Sequence, residues 1–114
     1  VAATAAYNLA KYKVSYSNSK EAAIYVNKIL NAQPSFFMTQ LNTSLTMIDN
    51  FIQENDFLTA AMITKALLDE MHGNEDNYEE LLKNKAIWLS KTDKKQEALQ
   101  AINEYIENIK MERI

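Results

Sequence analysis

Apolar residues recur along this chain at intervals of three and four. Ala22, Val26, Ile29 and Leu30 keep the i, i+4, i+7, i+8 spacing that puts side chains on one stripe of an α-helix. Leu41, Leu45, Ile48 and Ile52 form a similar stripe, as do Ala98, Ile102, Tyr105, Ile106 and Ile109. Short oxygen-bearing side chains punctuate the stripes: Asn18, Asp56 and Asp93 stand where a helix start needs an acceptor for its orphan N–H groups. Asn18 with Glu21, and Asp93 with Gln96, have the spacing of a capping box. Pro34 and the pair His72-Gly73 read as stops, the glycine as a left-handed helix terminator. These signals predict six helices, near residues 3–16, 19–32, 36–54, 57–71, 77–91 and 94–111.

The stripes repeat on a larger scale. Ser17-Asn18-Ser19-Lys20-Glu21-Ala22-Ala23, Asn55-Asp56-Phe57-Leu58-Thr59-Ala60-Ala61 and Asp93-Lys94-Lys95-Gln96-Glu97-Ala98-Leu99 align, with alanines at 22, 60 and 98, two steps of 38 residues. The register extends to Val26, Thr64 and Ile102, to Ile29-Leu30, Leu67-Leu68 and Tyr105-Ile106, and upstream to Ala10, Ile48 and Ala86. Each unit is a helical hairpin. A hairpin cannot bury both faces alone, so units must stack, with small residues where paired axes approach closely.

Leu9-Ala10, Ala22, Ile29-Leu30 and Pro34 resemble the tetratricopeptide-repeat pattern, and Asn55-Asp56-Phe57 with Ala60 resembles its G-D-Y-x-x-A stretch. The chain departs from that family in its 38-residue period, against about 34, and in carrying Ser17, Asn55 and Asp93 where the family has a turn glycine. The resemblance implies an all-α, right-handed stack of three antiparallel hairpins, with units near 1–35, 36–73 and 74–114 in a single domain. Residues 44–106 also resemble the C-terminal region of Rgg/MutR-type transcriptional regulators of Gram-positive bacteria. That likeness rests on Ile52 to Phe57, an alanine-bearing helix, Tyr78-Glu79 and a final Glu-Ala-Leu helix. It implies peptide sensing or dimerisation, with any DNA-binding part outside this chain. The other reading is a scaffold segment of a larger assembly.

Composition narrows the chemistry. With 114 residues, 47% of them apolar, the chain can bury a core without staples. The absence of cysteine excludes thiolate zinc sites, iron–sulfur clusters and disulfides; one histidine, His72, cannot build an imidazole cluster; one glycine, Gly73, cannot build a phosphate-cradling loop. Neighbouring Glu79 and Glu80 diverge by about 100° around a helix. Glu104 and Glu107 share a face but have no base or histidine beside them, and no serine has a positioned base. No catalytic residue, cofactor or metal is therefore expected. No apolar run reaches the length of a membrane span, and the start lacks an export signal, so a cytoplasmic, membrane-free location is expected. Val1 in place of methionine points to an excised or processed segment.

Net charge is −3, unlike the basic footprint of a nucleic-acid binder, so no direct nucleic-acid contact is expected. The charge is unevenly spread: +3 over residues 1–38, −6 over 39–76 and zero over 77–114. Lys83, Lys85, Lys91, Lys94 and Lys95 are interleaved with acids and read as a solvated helix face. In tetratricopeptide-like stacks the first helix of each hairpin lines the concave side. By that resemblance the expected contacts for a peptide or protein partner are Tyr7, Lys11 and Val14 on the first helix. They continue as Asn42, Leu45, Asp49 and Ile52 on the third, and Lys83, Ile87 and Lys91 on the fifth. Apolar ends also lead us to expect self-association, as a homodimer.

Overall fold

Helices form where the periodicity places them. The computed structural model describes residues 2–112, which fold into α1 (Ala2–Ser15), α2 (Ser19–Ala32), α3 (Phe36–Thr39), α4 (Leu41–Gln53), α5 (Phe57–Asp69), α6 (Tyr78–Ser90) and α7 (Lys95–Glu112). The class is all-α, with no strand among the described residues. One predicted helix, 36–54, is divided at Gln40, whose φ of −126° and ψ of 52° leave the helical region. No glycine or proline marks this break. A buried polar network holds it: the Ser44 hydroxyl donates to the Phe37 carbonyl at 2.8 Å, and the Tyr7 hydroxyl lies 2.9 Å from Ser44 Oγ. With the Ser44 proton committed to Phe37, the Tyr7 hydroxyl is left as the donor to Ser44.

The first two interhelix turns are built alike. Ser17 and Asn55, 38 residues apart, are the non-glycine residues with positive φ among the described residues, 61° and 60°. Each closes a Schellman turn: Asn18 N donates to Lys13 O and Ser17 N to Val14 O, while Asp56 N donates to Phe51 O and Asn55 N to Ile52 O. Asn18 and Asp56 then cap the next helix, accepting from the Glu21 and Thr59 backbone N–H groups. The third turn differs. Asp93 occupies the register of Ser17 and Asn55 without a positive φ, and the Thr92 hydroxyl accepts the Lys94 N–H at 3.0 Å. Asp93 takes part in this turn through its carbonyl, which accepts the Lys95 N–H at 2.9 Å, and the Thr92 bond closes the turn ahead of α7 rather than capping it. Gly73 does have a left-handed φ of 102°, but α5 has already ended at Asp69.

Within hairpins, α1 packs on α2, α4 on α5 and α6 on α7; between them, α1 meets α4, α2 and α3 meet α5, and α5 meets α6. The register alanines Ala22, Ala60 and Ala98 are all buried, as are Ala10, Ile48 and Ala86 upstream. A continuous core joins α1 to α5 through Tyr7, Val26, Ile29, Phe37, Met47, Phe51, Ile63 and Leu67. Tyr7 meets Phe36 edge-on, with ring centroids 5.3 Å apart. The α6–α7 hairpin adds two smaller clusters, one of Ala61, Ala86, Leu89, Ala98 and Ala101, the other of Leu68, Leu81 and Leu82. The resulting body measures 44 × 28 × 21 Å.

Candidate functional site

The first helices of the hairpins, α1, α4 and α6, together with Lys91 at the α6 C-cap, carry every residue expected to meet a partner, and packing sorts those residues into three groups. Tyr7, set against Phe36, Phe37 and Ser44, and Val14, in the same core, are each 3% exposed, so neither offers a surface to a ligand; this corrects the expectation for both. The reason is stacking: the stripe that α1 presents toward the next hairpin is covered by it, and Tyr7 is further fixed by Ser44. Burial pushes the Tyr7 hydroxyl's pKa up, the bond to Ser44 opposing the shift. Leu45 and Ile52 on α4 are half-buried, whereas Lys11, Asn42, Asp49, Lys83, Ile87 and Lys91 are exposed. Lys91 is not free of packing; its ammonium lies 5.3 Å from the centroid of the Phe57 ring.

The structure brings Leu45 and Asp49 together with a different stripe of α6 from the one expected. A cleft of about 210 Å³ opens between α4 and α6, lined by Leu45, Ile48, Asp49, Asn77, Glu80, Leu81, Asn84 and Trp88. Its apolar lining comes from Ile48, Leu81, Leu45 and Trp88. Its rim holds two carboxylates, Asp49 and Glu80, and two carboxamides, Asn77 and Asn84. Lys83 and Ile87 project about a quarter-turn to the side of this stripe and do not line it. A signal for the missed residues does exist in the sequence. Leu81 and Trp88 form a second apolar stripe beside Leu82, Ala86 and Leu89, so α6 must meet two neighbours rather than one.

A larger, shallower trough of about 670 Å³ runs along α6 and α7 past Tyr78, Leu82, Leu99, Glu104 and Met111. It lies on one hairpin alone and has few buried walls. Lys85, read as solvated, is instead 7% exposed, and its ammonium reaches Glu104 of α7 at 3.5 Å. In the loop after α5, the Glu75 carboxylate accepts the backbone N–H groups of His72 and Gly73 at 2.9 Å each. Those bonds, the one from His72 foremost, lower the Glu75 pKa. Among the described residues no three His, Cys, Asp or Glu side chains converge to hold a metal ion. No described helix is long and apolar enough to cross a membrane.

Neither the models of known protein families nor the curated proteins contain a match to this chain. The case for function therefore stands on the geometry of the cleft. A space of about 210 Å³ is below the size of usual cofactor pockets, roughly 300–1,000 Å³, and suits a single inserted side chain. Carboxamides at its edge supply both donors and acceptors, the complement of a peptide backbone.

Proposed function

We propose that this chain is a non-enzymatic, tetratricopeptide-like module: a right-handed stack of three helical hairpins that binds a peptide or protein along α1, α4 and α6. The observation that carries the reading is the cleft between α4 and α6, where an apolar floor is rimmed by Asp49, Glu80, Asn77 and Asn84. The partner it suits is an extended segment with one apolar anchor in the cleft and a basic residue beside it. Asn77 and Asn84 then pair with the segment's backbone, and Asp49 and Glu80 with its charge. In the biological version we favour, the module is the peptide-sensing or dimerising C-terminal domain of a cytoplasmic Rgg/MutR-type regulator. The support for that version is the likeness of residues 44–106 described above.

Trp88 is the chain's one tryptophan, so the cleft carries its own reporter. Peptides selected from a random array should shift Trp88 emission on titration. Asn84→Lys, which fills the cleft, should weaken binding about tenfold or more, roughly 1.4 kcal/mol. Lys83→Glu, beside the cleft, should change affinity less. Binding that ignores Asn84→Lys, or that leaves Trp88 emission unmoved, would overturn the reading.

A further inference from the structure

Helices α5, α6 and α7 each bring one stripe to a small cavity between them. On α5, Leu58, Ala61, Met62 and Lys65 keep the i, i+3, i+4, i+7 spacing of a single helical face. Lys85 and Leu89 meet that face from α6, and Glu97, Gln100 and Glu104 meet it from α7. The space measures about 130 Å³. That is room for about four waters, or for one aliphatic acid of about four or five carbons at the packing density of a protein interior. Ala61 and Leu89 are buried, whereas Leu58 and Met62, 37% and 38% exposed, stand at the mouth.

Lys85 gives this cavity its chemistry. Among the described residues it is the buried side chain that carries a full charge, at 7% exposed. A buried ammonium is costly unless close hydrogen bonds satisfy it. Its partner, the Glu104 carboxylate, lies at 3.5 Å, beyond the ~2.7–2.9 Å of a tight ammonium–carboxylate bond. An ammonium also has three donors to place. The Glu104 side chain is 45% exposed and lines the trough along α6 and α7 as well as the cavity, so it can turn to water when another carboxylate takes its place. Charge selects that replacement. Lys65 is held by Asp69 at 2.9 Å, which leaves Lys85 and Lys94 facing Glu97 and Glu104. A carboxylate that displaces Glu104 preserves this balance, whereas an amine or a neutral group would leave Lys85 buried without a countercharge. We propose that the cavity binds a short aliphatic carboxylate, its head group on the Lys85 ammonium and its tail against Leu58, Ala61, Met62 and Leu89. The site shares no residue with the α4–α6 cleft and is independent of it.

Titration with butanoate at neutral pH, followed by NMR of the methyl groups of Leu58, Ala61, Met62 and Leu89, tests this directly. Those signals should shift saturably with a Kd of roughly 1–10 mM, and butanamide or chloride at the same concentrations should leave them unmoved. Lys85→Met replaces the ammonium with an apolar side chain that a buried site tolerates, so circular dichroism should show it folded. Its affinity for butanoate should fall more than about tenfold. Glu104→Gln removes the competing carboxylate and should tighten binding about threefold. Met62→Trp, at the mouth, should block entry and replaces Lys85→Met if that variant is unfolded. Signals that fail to saturate, that respond equally to butanamide or chloride, or that respond unchanged in the Lys85→Met or Met62→Trp chain would overturn the proposal, as would weaker binding in Glu104→Gln.

Discussion

The first two hairpins and the third share one register but are sealed differently. From α1 to α5 the largest buried side chains, Phe37, Phe51, Ile29, Met47 and Ile63, meet in a single core and are at most 1% exposed. In α7 the buried side chains in the clusters are two alanines, Ala98 and Ala101, while Leu99, Ile102 and Ile106 face outward. The same columns of the repeat are interior in one region and surface in the other. Tyr7 is buried, Leu45 at the next register position is half-buried, and Lys83 at the third is exposed. Position within a repeat decides where a side chain points; the presence of a neighbour decides whether water reaches it. With less core of its own, the α6–α7 hairpin should be the weaker part of the fold.

Core truncation should expose that difference most strongly. Phe51→Ala should cost about 3–5 kcal/mol in urea unfolding, and Leu89→Ala, in the small α6–α7 cluster, about 2 kcal/mol. Equal losses would break the comparison. Overpacking comes next: Ala60→Leu, at a fully buried contact, should lose about 1–3 kcal/mol, and Ala98→Leu less than about 1 kcal/mol because α7 has room to shift outward. No loss at Ala60 would mean that the register of close approach is wrong.

Smaller effects sharpen the picture. Tyr7→Phe should cost about 1 kcal/mol near neutral pH through the lost bond to Ser44. Burial makes the folded chain hold the Tyr7 proton more tightly than the unfolded chain, whose value is 10.0. The resulting stabilisation is complete below that pH and is lost as pH rises through the higher folded value, a decline that Tyr7→Phe should lessen. The turns give the smallest effects. Ser17→Gly relieves a left-handed conformation and should gain up to about 1 kcal/mol in thermal unfolding, with Asn55→Gly gaining less because asparagine tolerates that region. Asp93→Gly should gain nothing, since the third turn has no left-handed residue there.

Much of the fold is legible in the sequence because its signals are local. Stripe spacing places the helices to within two residues or so at most ends, and the alanine register locates the close approaches. The break at Gln40 is not legible, because it depends on Tyr7 and Ser44 meeting across 37 residues of chain. Asp93 misleads as a cap because it stands one residue before the register of Asn18 and Asp56, a position that Lys94 occupies. In the cleft, Leu45 and Asp49 are legible, whereas Asn77, Glu80, Asn84 and Trp88 are not. The rotation of α6 about its axis is set by two neighbours at once, and the polar stripe through Lys83, Ile87 and Lys91 gives no measure of it. Tyr7 and Val14 show the opposite error, side chains on the anticipated helix but buried in the core.

Native-state hydrogen exchange read residue by residue tests the central claim most directly. Amides of α4 and α5, flanked on both sides, should exchange most slowly, and those of α7 fastest among the long helices, through an opening that leaves α1 to α5 intact. Uniform protection from α1 through α7, lost in one global step, would contradict the account.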